Sequence, residues 1–188
     1  MAETRVHDIL RESVPLLLVM AIIEVLAGSF LGRMEHSVER LPGLLALIPA
    51  ILAMRGNIST SMGSRFGTLT RFGLIPRDRF LVPAVSHSIV ASLVLGVILA
   101  LAAAVLAHVV TLMAGFESAG ILILASIATT AGLLSGIVMA GVALVTMRVA
   151  FRRGLDLDNV AGPVLMTMSD LTTLLSLFLA ARVFGGLL

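Results

Sequence analysis

Residues 158–173 read DNVAGPVLMTMSDLTT, the opening of an apolar run that continues to Leu188. Asp170 falls near the middle of that run. A carboxylate at bilayer mid-depth costs about 2.5–3.5 kcal/mol on insertion scales, so such residues usually face a bundle interior or a wet path instead of lipid. The run is long enough to cross a bilayer, and its one mid-depth charge implies partner helices around it. This stretch decides the fold class: an all-α integral membrane protein, with a cation site expected at Asp170.

The rest of the chain supports that reading. Of 188 residues, 59% are hydrophobic and 13% are charged, against about 25% charged in an ordinary soluble domain. The mean hydropathy is +1.11. The sequence has no cysteine, which excludes disulfides, thiolate ligands and cysteine nucleophiles. All 13 strong bases are arginine, and they cluster in short loops between apolar runs, with no nucleic-acid signature. Trp and Tyr, the usual interface markers, are absent. Glu3, Asp8 and Glu12 argue against a cleaved signal peptide, so the first apolar run is expected to be retained.

Five spans follow: about 14–31, a second from Leu41 interrupted by polar residues after Met54, 80–110, 121–147, and a fifth from Asn159. A helix needs about 20 apolar residues to cross the hydrocarbon core. Arg5 and Arg11 precede the first span. Arg65, Arg71, Arg77 and Arg79 gather at the second loop, and Arg148, Arg152 and Arg153 at the fourth. The third loop has no base, and the first has Arg33 and Arg40 with Glu35 and Glu39 between them. The positive-inside rule therefore places the N-terminus in the cytoplasm and the C-terminus outside. A single transmembrane domain over 1–188, without a soluble regulatory domain, is expected. No internal repeat is visible, so a symmetric path would require a second chain. Gly28 with Gly32, and Gly132, Gly136 and Ala140, have the small-xxx-small spacing of close helix contacts.

Polar residues within the spans supply the candidate site. On a helical wheel Asn159, Pro163, Met166 or Thr167, Asp170 and Thr173 share one side of the fifth span. Carboxylate, amide and hydroxyl oxygens suit hard divalent cations, and Mg²⁺ can be held through its waters. Glu24 lies at the centre of the first span. In the second, Pro49 precedes Arg55-Gly56-Asn57 and then Ser59-Thr60-Ser61. These residues either line a cavity in a broken helix or form a loop after Met54. His87 reads as a packed residue, and Glu35, His36 and Glu39 as a solvated loop. No catalytic triad order, phosphate-cradling loop or zinc spacing occurs, so no enzyme is expected.

Pro49-Ala50, Arg55-Gly56-Asn57 and Gly63-Ser64-Arg65 in the second span, with Asp158-Asn159, Pro163, Thr167 and Asp170 in the fifth, resemble the membrane domain of the MgtE-type magnesium transporters and their eukaryotic solute-carrier relatives. The resemblance covers nearly the whole chain. It implies a five-helix protomer in the cell membrane, a homodimer, and a path for Mg²⁺ between the two copies. It also implies that Asp170 holds the ion, that Asn57 lines the path near a constriction, and that Asp158 and Asn159 lie near the cytoplasmic mouth. The family's best-known members close their pores with cytoplasmic Mg²⁺-binding domains. About a dozen polar residues precede the first span here, so this unit is expected to be gated otherwise. Two rival functions are a non-transporting membrane scaffold and a carrier of another cation coupled to Na⁺ or H⁺. An organic substrate fits poorly with only eight Phe and no other aromatic residue.

Overall fold

A computed structural model of the chain describes residues 6–32, 35–75, 81–153 and 157–185; within these, side chains are not described at 6–9, 11–13, 30, 35–37 and 157–159. The described residues form six helices: α1 (Val6–Gly32), α2 (Glu35–Arg40), α3 (Leu44–Arg71), α4 (Pro83–Met113), α5 (Ile121–Arg153) and α6 (Leu157–Gly185). No strand occurs among them. Four helices, α3 to α6, are long and apolar enough to cross a membrane, and α1 carries a shorter apolar stretch, Val14–Ser29.

The second span differs from expectation. α3 runs unbroken for 28 residues, with Pro49 inside it. The polar run 57–61 is neither a break nor a loop. Its hydroxyls are accommodated within the helix: Thr60 Oγ1 donates to the carbonyls of Gly56 and Asn57 at 3.0 and 3.1 Å, and Ser59 bonds Ser169 of a neighbouring helix. Pro163 likewise sits within continuous α6. A proline deletes one ladder bond, and packing against neighbouring helices offsets that loss in a bundle.

α3, α4, α5 and α6 pack on one another, and α1 lies against α6. Two apolar clusters hold the bundle. One joins Leu44, Leu47 and Ile51 of α3 to Ala100, Ala103, Ala104 and Ala107 of α4, with Leu124, Ile127, Leu174 and Leu177. The other joins Met62 and Phe66 to Val85, Met139, Met147 and Leu165. Between them every packed helix contributes polar side chains: Arg55 and Ser59 from α3, Ser92 from α4, Ser135 from α5, and Thr167, Ser169 and Thr173 from α6, all buried. The bundle therefore has a polar waist between two apolar ends. Lipid tails are as apolar as leucine, so the ends are held by close van der Waals packing more than by a hydrophobic drive.

The glycine pairs behave differently from each other. Gly132 and Gly136 lie against α4. A Cβ at Gly132 would meet Ala100 Cβ at 3.5 Å, and one at Gly136 would meet Leu93 Cδ2 at 2.8 Å. Gly28 and Gly32 have nothing within 4 Å of a Cβ among the described residues.

Candidate functional site

The site is built where α3 and α6 run antiparallel across the waist. Three small residues on one side of α3 set the approach. A Cβ on Gly56 would lie 3.8 Å from Met166 Cγ and 3.9 Å from Asp170 Oδ1, while one on Gly63 would lie 2.5 Å from Leu165 Cδ1 and 3.5 Å from Ala161 Cβ. Between the two glycines, Ser59 Oγ donates to Ser169 Oγ at 3.2 Å in a buried link between the helices. Asp170 is thus held against α3 backbone, at the edge of the waist.

Asp170 is half-buried, and among the described residues no hydrogen bond or ion pair reaches its carboxylate. Its electrostatic neighbour is another acid. Glu24 of α1, also half-buried, lies close enough for the two charges to interact. Two carboxylates within reach of each other in a poorly polarisable setting repel unless a proton or a cation sits with them. The pair is a chemical reason for a cation to stop here.

Arg55, a conceivable neutralising partner, points elsewhere. It is 3% exposed, and its Nε has no hydrogen-bond partner. The guanidinium is wedged between α4 and α5: a Cβ at Gly96 would stand 2.8 Å from one terminal nitrogen, and one at Gly136 would stand 3.0 Å from the other. Only glycine at both positions leaves room for it. The next residue, Gly56, faces Asp170, so one step along the helix separates the buried cation from the acid.

The other expected site residues divide. Asn57 lies on the exposed face of α3, with Ala53, Ser61 and Ser64 above and below it. Met166 is 53% exposed. Thr167 and Thr173, expected to share a stripe with Asp170, turn inward at 5% and 0% exposure, and Thr173 Oγ1 has no hydrogen-bond partner. The side chains of Asp158 and Asn159, and those of Glu35 and His36, lie outside the described residues. His87 is exposed instead of packed. Among the described residues no three His, Cys, Asp or Glu side chains gather into a cluster that could hold a metal ion alone. Among the described residues the acids brought together at this site are Glu24 and Asp170. Sequence reasoning missed Ser169 and Ser135. A lone serine in an apolar helix carries no signal of the neighbour it will meet.

Four long apolar helices around a polar waist define a multi-pass membrane protein, with Asp170 of α6 and Glu24 of α1 as interacting acids. The chain belongs to the MgtE family, described as divalent cation transporters, whose family model matches residues 48–180. This is a family of transporters and not of enzymes. The chain is 30% identical over 158 residues to solute carrier family 41 member 2 of Gallus gallus, covering 80% of this chain and 27% of that protein. It is 29% identical to the proteins of the same name from Xenopus laevis and Homo sapiens, again over 80% of this chain, covering 28% and 27% of theirs. The chain therefore spans little more than a quarter of the length of these relatives. No solved structure matches it.

Proposed function

We propose that this chain carries divalent cations, Mg²⁺ foremost, across the cell membrane, and that Asp170 is the residue on which the ion rests. The observation that carries the reading is the unneutralised pair of Asp170 and Glu24 beside the exposed polar face of α3. Oxygen ligands of this kind suit a hard cation that keeps part of its hydration shell. Asn57 lines the route, and Met166, one turn before Asp170, narrows it. Asp158 and Asn159 guard the cytoplasmic mouth. Thr167 and Thr173 back the site from within.

A second copy of the chain completes the path. One protomer offers two acids and leaves Asn57 and Ser61 uncovered on a helix that crosses the membrane. Polar groups at that depth are disfavoured against lipid. A two-fold partner would cover them and bring a second Asp170 towards the same ion, whose charge offsets their repulsion. In this reading residues 1–188 form one transmembrane domain with α1 as a fifth span, the N-terminus cytoplasmic and the C-terminus outside.

The test is ion flux into liposomes containing the purified protein, with Mg²⁺, Mn²⁺ and Ca²⁺ compared, with and without a Na⁺ or proton gradient. Mg²⁺ uptake by the wild type, lost in Asp170→Ala with unchanged elution on size exclusion, supports the reading. Wild-type-like uptake by Asp170→Ala discards the site, and no flux of any divalent ion favours a scaffold.

A further inference from the structure

Two cavities meet at Arg65, on the side of α3 that faces α4. One, of about 320 Å³, is lined by Ser64, Arg65, Thr68, Leu69, Ala84 and Ser88. The other, of about 560 Å³, is lined by Arg65 and His87 at one end and then by Val90, Ala91, Val94, Leu95 and Ile98. The first is small and rich in hydroxyls; the second continues along α4 as an apolar trough. Its apolar residues recur at 90, 94 and 98, and at 91 and 95. At 1.5 Å rise per residue they form a ladder about 12 Å long. Polar and apolar halves are joined by one cation.

Three features show that the polar half is prepared for an anion. Among the described residues neither cavity has an acid in its lining. Ser88 is only 8% exposed, lines the polar cavity, and its Oγ has no hydrogen-bond partner. A buried hydroxyl without a partner is costly and asks for an acceptor. The cavity also abuts the first turns of α4, which starts with Pro83 at its first turn and no side-chain cap. The N–H groups of Val85 and Ser86 already donate to the carbonyl of Val82, so this helix start offers an anion chiefly the partial positive charge of its dipole. The surrounding end of the bundle is basic: Arg71 ends α3, and Arg148, Arg152 and Arg153 end α5.

We infer that Arg65, Ser88 and the α4 ladder form a binding site for an anionic glycerophospholipid. The phosphate sits between the Arg65 guanidinium and Ser88 Oγ, His87 flanks the headgroup, and one acyl chain lies along Val90, Val94 and Ile98. Charge sets the headgroup and the trough sets the tail: a zwitterionic lipid brings its own cation to a lining that holds Arg65 and no described acid, and a free anion leaves the trough empty. Arg65 lies on the opposite edge of α3 from Gly56 and Asp170, while Ser64 and Thr68 continue the outward polar face that carries Asn57, so the headgroup sits beside the proposed ion path. Bound there, the lipid staples α3 to α4.

The test uses the delipidated full chain in a neutral detergent. It is titrated separately with phosphatidylglycerol, phosphatidylcholine and inorganic phosphate while thermal unfolding and bound lipid mass are read. Phosphatidylglycerol is expected to raise the unfolding temperature saturably, and the other two are not. Arg65→Gln should shift the midpoint to about tenfold higher lipid, as expected for a lost charge-assisted bond. Ser88→Ala should shift it several-fold, and Val94→Trp should block the trough. Leu122→Ala, on an exposed face of α5, should titrate as wild type. Equal stabilisation by phosphatidylcholine overturns the inference, as does inorganic phosphate reproducing the whole effect. So does wild-type titration by both Ser88→Ala and Val94→Trp, which also carry the test if Arg65→Gln fails to fold.

Discussion

α3 and α4 both cross the bundle, yet they are built inside out relative to one another. α4 buries its small residues, Ser92, Gly96, Ala100, Ala104 and Ala107, and turns Val90, Val94, Ile98, Leu101, Val105 and Leu106 outward. α3 buries large ones, Leu44, Leu47, Ile51, Met62 and Phe66, and turns Ala53, Asn57, Ser61, Ser64 and Thr68 outward. An outward face of Val and Leu is at home in acyl chains. An outward face of amide and hydroxyl groups is not, since lipid offers them no partner. The contrast teaches that the two faces meet different surroundings. The α4 face suits lipid, and the α3 face suits polar surroundings.

The strongest way to break the comparison is at its acid. Asp170→Ala is expected to reduce Mg²⁺ flux in liposomes to the protein-free background while the folded protein persists; retained flux would make the α3–α6 seam a packing feature alone. Next come matched substitutions on the two outward faces. Ser61→Leu should lower flux several-fold, because it fills the polar face, whereas Leu106→Ala on α4 should leave flux unchanged. Equal responses from the two would erase the distinction.

Two further pairs sharpen the account of the waist. Gly136→Ala forces a methyl against Leu93 and the wedged Arg55 guanidinium. It should lower stability in detergent by about 1–3 kcal/mol, the usual cost of overpacking. Gly132→Ala meets only an ordinary 3.5 Å contact and should unfold within a degree or two of wild type, read by the same thermal denaturation. The smallest effect belongs to the Ser59–Ser169 link. A double-mutant cycle with alanine should return a coupling of about 0.6 kcal/mol, the average for interhelical hydrogen bonds within membranes. A coupling of zero would mean that the two hydroxyls merely share space.

Much of this was legible in the sequence because it depends on composition along the chain. Apolar runs give the long helices, and arginine clusters mark their ends. Asp170 announces itself, being a carboxylate far from either end of its run. The resemblance carried by the Arg55-Gly56-Asn57 and Asp170 segments agrees with the family match over 48–180. The polar run after Met54 was legible as unusual but not as helix. Hydroxyls that bond their own backbone look, in sequence, like residues that end a helix. The wheel put Thr173 on one stripe with Asp170, whereas Thr173 is fully buried and Asp170 half-buried, because angle does not say which neighbour covers a residue.

What the sequence alone determined is the set of long apolar helices and the presence of charge within them, because membrane-crossing length and the cost of a buried carboxylate are properties of a segment. What only the tertiary structure decided is how those charges are distributed. Asp170 meets Glu24 across a helix boundary, and Arg55 turns away into a gap left by Gly96 and Gly136. Pairing in three dimensions depends on which helices pack and how closely their backbones approach. That depends on where small side chains from different helices coincide, a relation that no single segment contains.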